Sequence, residues 1–181
     1  MTAPETPSVW TEPFRAAGAW VTLLPLNRSH LDALTHAVRD GELWNLWYAR
    51  VPTPEGMSAE IERRLALAEQ GRMMPFTVLD AAGTVVGMTS YQLLDPVNRR
   101  VEIGYTWYAQ RVQRTPLNTE AKLLLLTHAF ETLDCIAVGF TTSTFNEPSR
   151  RAIERLGAKL DGILRNHSFI RDGIVRDTCY Y

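Results

Sequence analysis

Residues 101–122 read VEIGYTWYAQRVQRTPLNTEAK, and the fold turns on this stretch. Positions 100–109 have the β-branched and aromatic content of a strand. Strict alternation would put Val101, Ile103, Tyr105 and Trp107 on one face and Glu102, Gly104, Thr106 and Tyr108 on the other. The loop QRVQRTP follows. Thr115 then serves as an N-cap hydroxyl and Pro116 as the first residue of a helix expected over 117–133. Leu123 to Leu126 cover every face of one turn, which predicts a helix buried on most sides. Its first turn carries amide N–H groups without an internal partner and the positive end of the helix dipole. An anion, above all a phosphate, is stabilised there. Arg111 and Arg114 lie in the same loop with forked donors suited to phosphate oxygens. The same residues also read as a capped helix with two solvated arginines.

Working outward, 19–26 form a first strand rich in β-formers. Ser29 is expected to cap a helix through Leu31, Leu34 and Val38. An aromatic stretch with Trp44, Trp47 and Tyr48 follows, broken by Pro52 and Pro54, and Ser58 is expected to cap a second helix through Ile61, Leu65 and Ala68 that ends near Gly71. Strands at 76–79 and 84–94 are joined by Ala81-Ala82-Gly83. Beyond the central helix, 136–142 read as a strand. Asn146 caps a helix with Ala152, Ile153 and Leu156 inward and Gly157 as its stop. Strands at 160–170 and 174–181 flank the turn dipeptide Asp172-Gly173. The order β-α-α-β-β-β-α-β-α-β-β predicts a mixed α/β domain with a mostly antiparallel sheet, flanking helices and one central crossover. Residues 1–18, with Pro4, Pro7 and Pro13, read as an extended N-terminal arm, and 19–181 as one domain.

Composition narrows the function. The chain has 181 residues, 45% apolar and 22% charged, the profile of one globular domain and not of a disordered chain. Nineteen basic against twenty acidic side chains leave a net charge of −1, which argues against a dedicated nucleic-acid binder. No apolar run approaches the roughly 18 residues that cross a bilayer, so no membrane partner is expected. Cys135 and Cys179 are too few for a disulfide scaffold. His30, His36, His128 and His167 show no ligand spacing, so no metal is expected. The opening MTAPETPSVW lacks the basic and apolar regions of a signal peptide, so the expectation is a cytoplasmic protein with reduced thiols.

The element order and four segments carry a resemblance. These are EIGYTWY (102–108), NTEAKLLLLTHAFETL (118–133), TSTFNEPSRRAIERLGAKLDGILRNH (142–167) and RDGIVRDT (171–178). From Trp20 to the last strand the chain resembles the GNAT acetyltransferase superfamily, and most closely its RimJ/RimL-type branch. That resemblance implies acetyl-CoA as cosubstrate and transfer of its acetyl group to an amine on a peptide, protein or small molecule. The family's pyrophosphate loop, Gln/Arg-x-x-Gly-x-Gly/Ala, falls on Arg111, Arg114 and Pro116. The leading Arg111 fits; Arg114 and Pro116 stand where small residues are usual. Cofactor contacts are then implied at Trp107, Tyr108, Arg111, Arg114, Thr115, Leu117, Asn118, Asn146, Ser149 and Arg150.

Within that resemblance the chemistry has named candidates. Glu102 is the candidate base, since an amine must lose a proton to attack a thioester; otherwise it is an exposed glutamate on a half-polar strand. Ser149 is implied to hold or protonate the departing thiolate, and a backbone N–H near Trp107 or Tyr108 to polarise the thioester carbonyl. No nucleophile with a paired base is legible, which points to direct attack. Trp44, Trp47 and Tyr48 occupy the place of an acceptor wall, or are plain core. Strand edges near the C-terminus suit a homodimer. A CoA-binding module without chemistry is the alternative reading.

Overall fold

The computed structural model describes residues 8–170 and 173–181. It is the mixed α/β fold expected from the sequence. In chain order come β1 (Ala16–Ala17), β2 (Val21–Pro25), α1 (Leu31–Arg39), α2 (Met57–Glu69), β3 (Met73–Asp80), β4 (Val85–Asp95) and β5 (Arg100–Tyr108). Then follow α3 (Leu117–Thr127), β6 (Ala137–Gly139), β7 (Thr141–Ser143), α4 (Glu147–Glu154), β8 (Gly162–Phe169) and β9 (Val175–Tyr180). Strands β1 to β6 lie side by side in sequence order, and every pair is antiparallel except the parallel β5–β6. A second sheet has the order β7-β9-β8.

Two cores sandwich the main sheet. On one side Leu117, Ala121, Leu125 and Ala129 of α3 and its extension pack on Phe76, Val78, Val101 and Ile103. On the other, Leu34 and Val38 of α1 and Met57 and Ile61 of α2 pack on Met88 and Trp107. The N-terminal segment joins the first core: Trp10 is buried, and Phe14 stacks on His128 with ring centres 3.6 Å apart.

Several local expectations are corrected. Asn27 caps the 3-10 turn Arg28–His30 that leads into α1, its side chain accepting from the Ser29 N–H, so Ser29 sits inside that turn and α1 follows His30 without a side-chain cap. Helix α2 starts at Met57 with Gly56 before it and no side-chain cap, so Ser58 is not its cap. The helix of the central segment is α-helical only to Thr127 and continues as a π turn over His128–Thr132. Leu123 is 60% exposed, so only part of the leucine run is buried. The strand expected over 136–142 breaks at Phe140 into β6 and β7, one in each sheet. Asn146 does cap α4 through a 3.2 Å bond from the Ser149 N–H, and Gly157 ends it at φ +92°. Asp172 of the expected Asp172-Gly173 turn lies outside the described residues.

Strict alternation along β5 also fails, for one reason. Met88 pairs with Trp107 but Ser90 pairs with Gly104, so two steps on β4 face three on β5. Tyr105 is the extra residue, at φ +49°. A bulge of this kind reverses the facing of everything beyond it. Val101 and Ile103 therefore share the α3 core with Tyr108, while Trp107 turns to the α1–α2 core.

Candidate active site

Strand β6 pairs with β5 only at Arg100, Val101 and Glu102. At Phe140 the chain leaves the main sheet, and β7 pairs with β9 instead. Two parallel neighbours thus part like a fork beyond Glu102. The gap between them is a cleft of about 920 Å³. Ile103 to Thr106 and Tyr108 form one wall, Phe140 to Ser143 the other, and the starts of α3 and α4 close its floor. Its size is in the range of small-molecule sites.

The bulge that shapes the β5 wall is held from behind. Arg64 of α2 is completely buried. Its guanidinium donates to Glu60 (2.7 Å), the Ser90 hydroxyl (3.1 Å) and the Tyr105 carbonyl (3.0 Å). A backbone carbonyl released by a bulge needs a donor when buried, and the planar fork of arginine supplies it. Arg63 lies over the Tyr105 ring at 4.8 Å.

The loop before α3 keeps a glycine-like backbone without glycine. Arg114 sits at φ +62°, in the left-handed region. Pro116 is helical, at φ −60° and ψ −19°, and Thr115 Oγ1 accepts from the Leu117 N–H at 3.4 Å. Arg114, Thr115 and Asn118 all line the cleft. Leu117 contributes its buried side chain to the core. Arg111 lies apart from the cleft, ion-paired with Asp40 at 3.2 Å and Asp80 at 3.8 Å.

The remaining sequence candidates divide similarly. Asn146, Ser149, Tyr48 and Tyr108 line the cleft. Arg150 bonds Tyr181 Oη at 3.1 Å, which in turn donates to Glu154, and it faces away. The Trp107 side chain is core, with its Nε1 unpartnered. Trp44 packs against the α1–α2 core. Trp47 is partly exposed and stacks at 5.6 Å on Tyr48 and 4.9 Å on Phe145. Glu102 is not an exposed glutamate: it is 4% accessible, behind the wall. Its Oε2 accepts from Gln92 (3.1 Å) and Thr141 (3.5 Å), both cleft residues, while Oε1 has no partner. Beside it the Tyr180 hydroxyl is pushed up to about 12, by burial first and then by the neighbouring Glu102 carboxylate.

Charge in the cleft is one-sided. Among its described lining residues are five arginines (50, 114, 151, 155, 176) and Lys122, with no aspartate or glutamate. A chain of net charge −1 has concentrated its cations here. Lys122 is the least expected of them. It is 6% exposed, and its Nζ donates to the hydroxyls of Thr89 (3.2 Å) and Thr106 (2.8 Å). Burial lowers its pKa to about 7. The Tyr108 hydroxyl, pushed up by burial, lines the same cleft with no partner among the described residues.

The site is thus a parted pair of parallel strands with a cation-lined gap at a helix N-terminus. The family model described as an acetyltransferase (GNAT) domain matches residues 21–159. The chain belongs to the GNAT acetyltransferase family. Among relatives, this GNAT chain is 37% identical over 99 residues to the provisionally named ribosomal N-acetyltransferase YdaF of Bacillus subtilis (strain 168), a match covering 55% of this chain and 53% of YdaF. The alignment thus spans about half the length of that curated relative. A solved, provisionally named acetyltransferase from T. thermophilus shares 35% identity at a TM-score of 0.81, covering 94% of this chain and 88% of its own. RimL, the ribosomal L7/L12 α-N-protein acetyltransferase solved with coenzyme A, is similar in fold at TM-score 0.78 and 18% identity, covering 92% of this chain and 94% of RimL. The RimJ/RimL-type likeness read from the sequence agrees with these names.

The GNAT cleft includes residues that sequence reasoning passed over: Lys122, Arg50, Arg176, Arg151 and Arg155. Lys122 had a signal. Positions 118, 122, 125 and 129 share a stripe at 3–4 residue spacing, and a lysine there falls on the same face as two buried positions, Leu125 and Ala129. Arg50 and Arg176 had none, because they come from distant segments that only the fold brings together.

Proposed function

We propose that this GNAT chain is an acetyl-CoA-dependent N-acetyltransferase, transferring acetyl from the thioester to a primary amine by direct attack. The observation that carries it is the cation-lined gap beside β5, which lacks any described carboxylate. Coenzyme A has a diphosphate that joins a phosphorylated adenosine to an amide-bearing arm ending in the thiol. The α3 start, with Arg114, Thr115 and Asn118, suits the diphosphate. From Ile103 onward β5 has lost its neighbour on the β6 side, so its backbone edge suits an amide-bearing arm laid in as a strand would be. The unpartnered Tyr108 hydroxyl and the left-handed Arg114 backbone fit the same ligand. Arg151 and Arg155 on α4 extend the positive lining.

Within this proposal, Ser149 at the cleft wall assists the leaving thiolate. Glu102 takes up the amine proton through the Gln92–Thr141 wall, by way of water. A β5 backbone N–H near Trp107 or Tyr108 polarises the carbonyl. Tyr48 and Trp47 border the acceptor. The acceptor class is an N-terminal α-amine or a small-molecule amine. An α-amine near pKa 7.7–8.0 is roughly 10–17% neutral at pH 7, whereas a lysine amine is about 0.04% neutral. A homodimer through the open β8 edge, where Ile163, Leu164 and Phe169 are exposed, belongs to the same proposal.

The test is calorimetric titration with acetyl-CoA, followed by thiol release with a panel of peptides and small amines. Saturable binding and amine-dependent release are expected. Binding without release would favour a CoA-binding module, and no binding would remove both readings.

A further inference from the structure

The cleft has two sets of cationic side chains, and only one of them serves the coenzyme in the proposal above. Arg114 precedes α3, Arg151 lies in the last turn of α4, and Arg155 at the C-terminal end of α4 donates to the Thr119 hydroxyl of α3 at 3.3 Å. Arg50 and Arg176 form the second set and line the cleft together with Tyr48 and Tyr105. Arg50 donates to the Phe169 carbonyl, and Arg176 Nε donates to the Ser168 hydroxyl at 3.0 Å. Ser168 and Arg176 are cross-strand partners in the β8–β9 ladder, as are Phe169 and Val175. One ladder therefore fixes both guanidinium groups side by side.

Two fixed guanidinium groups repel each other, and the pKa of Arg176 is lowered by burial and then by Arg50. Among the described residues neither has a carboxylate within ion-pair distance. Glu60 in the adjoining recess is already paired with Arg63 at 2.7 Å and Arg64 at 2.7 Å. Asp177 follows Arg176 on β9, so alternation turns it to the opposite face, where it accepts from the Asn166 N–H. Neighbouring like charges are held at a cost that a bound anion offsets.

We infer that the acceptor is an amine whose own molecule carries a carboxylate or phosphate, seated between Arg50 and Arg176 while the amine points along the cleft toward Ser149. This rests on the acetyltransferase reading and names its substrate class. The tyrosine rings of Tyr48 and Tyr105 wall the linker between the two groups. An acidic side chain next to a peptide α-amine and a free amino acid or phosphoamine present the same chemistry.

The experiment compares matched acceptors by calorimetry on the full chain with coenzyme A present. One arm uses short peptides that differ only by Asp against Asn at the second position. The other uses free glutamate against glutamine, and phosphoethanolamine against ethanolamine. A charge-assisted hydrogen bond predicts about ten- to a hundredfold tighter binding of the anionic member. Preference in the peptide arm alone identifies a peptide acceptor, and preference in the second arm identifies a small molecule; either supports the inference. Arg50→Gln and Arg176→Gln are expected to abolish the preference, and Arg176→Lys to retain most of it, with thermal melts confirming that each variant is folded. Equal binding within every pair, or a preference untouched by both glutamine variants, overturns the inference. Absence of thiol release with every acceptor overturns the acetyltransferase reading separately.

Discussion

Replacing Lys122 by methionine isolates the energetics of the cleft floor. Methionine has nearly the same reach and no charge. The two hydroxyls that lose the ammonium, Thr89 and Thr106, already bond each other at 2.8 Å, so the variant leaves neither stranded. The Lys122 pKa falls to about 7 in the folded chain, against about 10.4 for an unfolded lysine. Below pH 7 both states carry the proton, and the folded state bears the whole desolvation cost, of order 5 kcal/mol. Between about pH 7 and 10.4 the unfolded state binds more protons, so stability rises with pH by about 1.4 kcal/mol per unit. Urea unfolding at pH 6, 7, 8 and 9 reads this directly. Lys122→Met is expected to exceed the parent by several kcal/mol at pH 6, and that lead should shrink by about 3 kcal/mol on reaching pH 9. A gap that stays constant across the series, or a methionine variant that is less stable at pH 6, would refute a lysine buried against its charge.

Arg64→Met removes the donor from the Tyr105 carbonyl and should cost about 3–5 kcal/mol in urea unfolding, the usual penalty for breaking a buried ionic network. Arg114→Gly should raise stability by about 1 kcal/mol by relieving a left-handed side chain, whereas Arg114→Ala should not; calorimetry should find acetyl-CoA affinity about tenfold weaker in both, through the lost guanidinium. Asn146→Ala loses the cap of α4 and should lower stability by about 1 kcal/mol in a thermal melt. Glu102→Gln should reduce turnover more at pH 6 than at pH 9, where neutral amine is plentiful; a uniform loss across that range would mark it as structural.

The element order was legible because each helix has a 3–4 residue apolar stripe and each strand a short β-rich run. Asn146 and Gly157 announced the bounds of α4 from chemistry alone. What stayed hidden was tertiary. A one-residue bulge at Tyr105 cannot be seen in an alternating strand, since its cause is Arg64, some forty positions earlier and buried under another helix. The sequence offers Arg111 as a phosphate ligand, whereas the fold ties it to Asp40 and Asp80, residues far from it in sequence. Glu102 has the polarity of a surface residue but is closed off by Gln92 of β4 and Thr141 of β7, and the single apolar run over 136–142 does not show that β6 and β7 part. The cleft itself comes from that division at Phe140, and no local pattern marks where two strands part.

The hold of Arg64 on the β5 bulge has an evolutionary consequence. Positions 60, 64, 90 and 105 supply an acid, a guanidinium, a hydroxyl and a released carbonyl to one buried junction. A diverging sequence that exchanged the arginine alone would strand the hydroxyl and the carbonyl and leave Glu60 with Arg63 alone, so these sites should drift as a linked set. Where a descendant has straightened the strand at 105, its counterpart of residue 64 is free to become aliphatic.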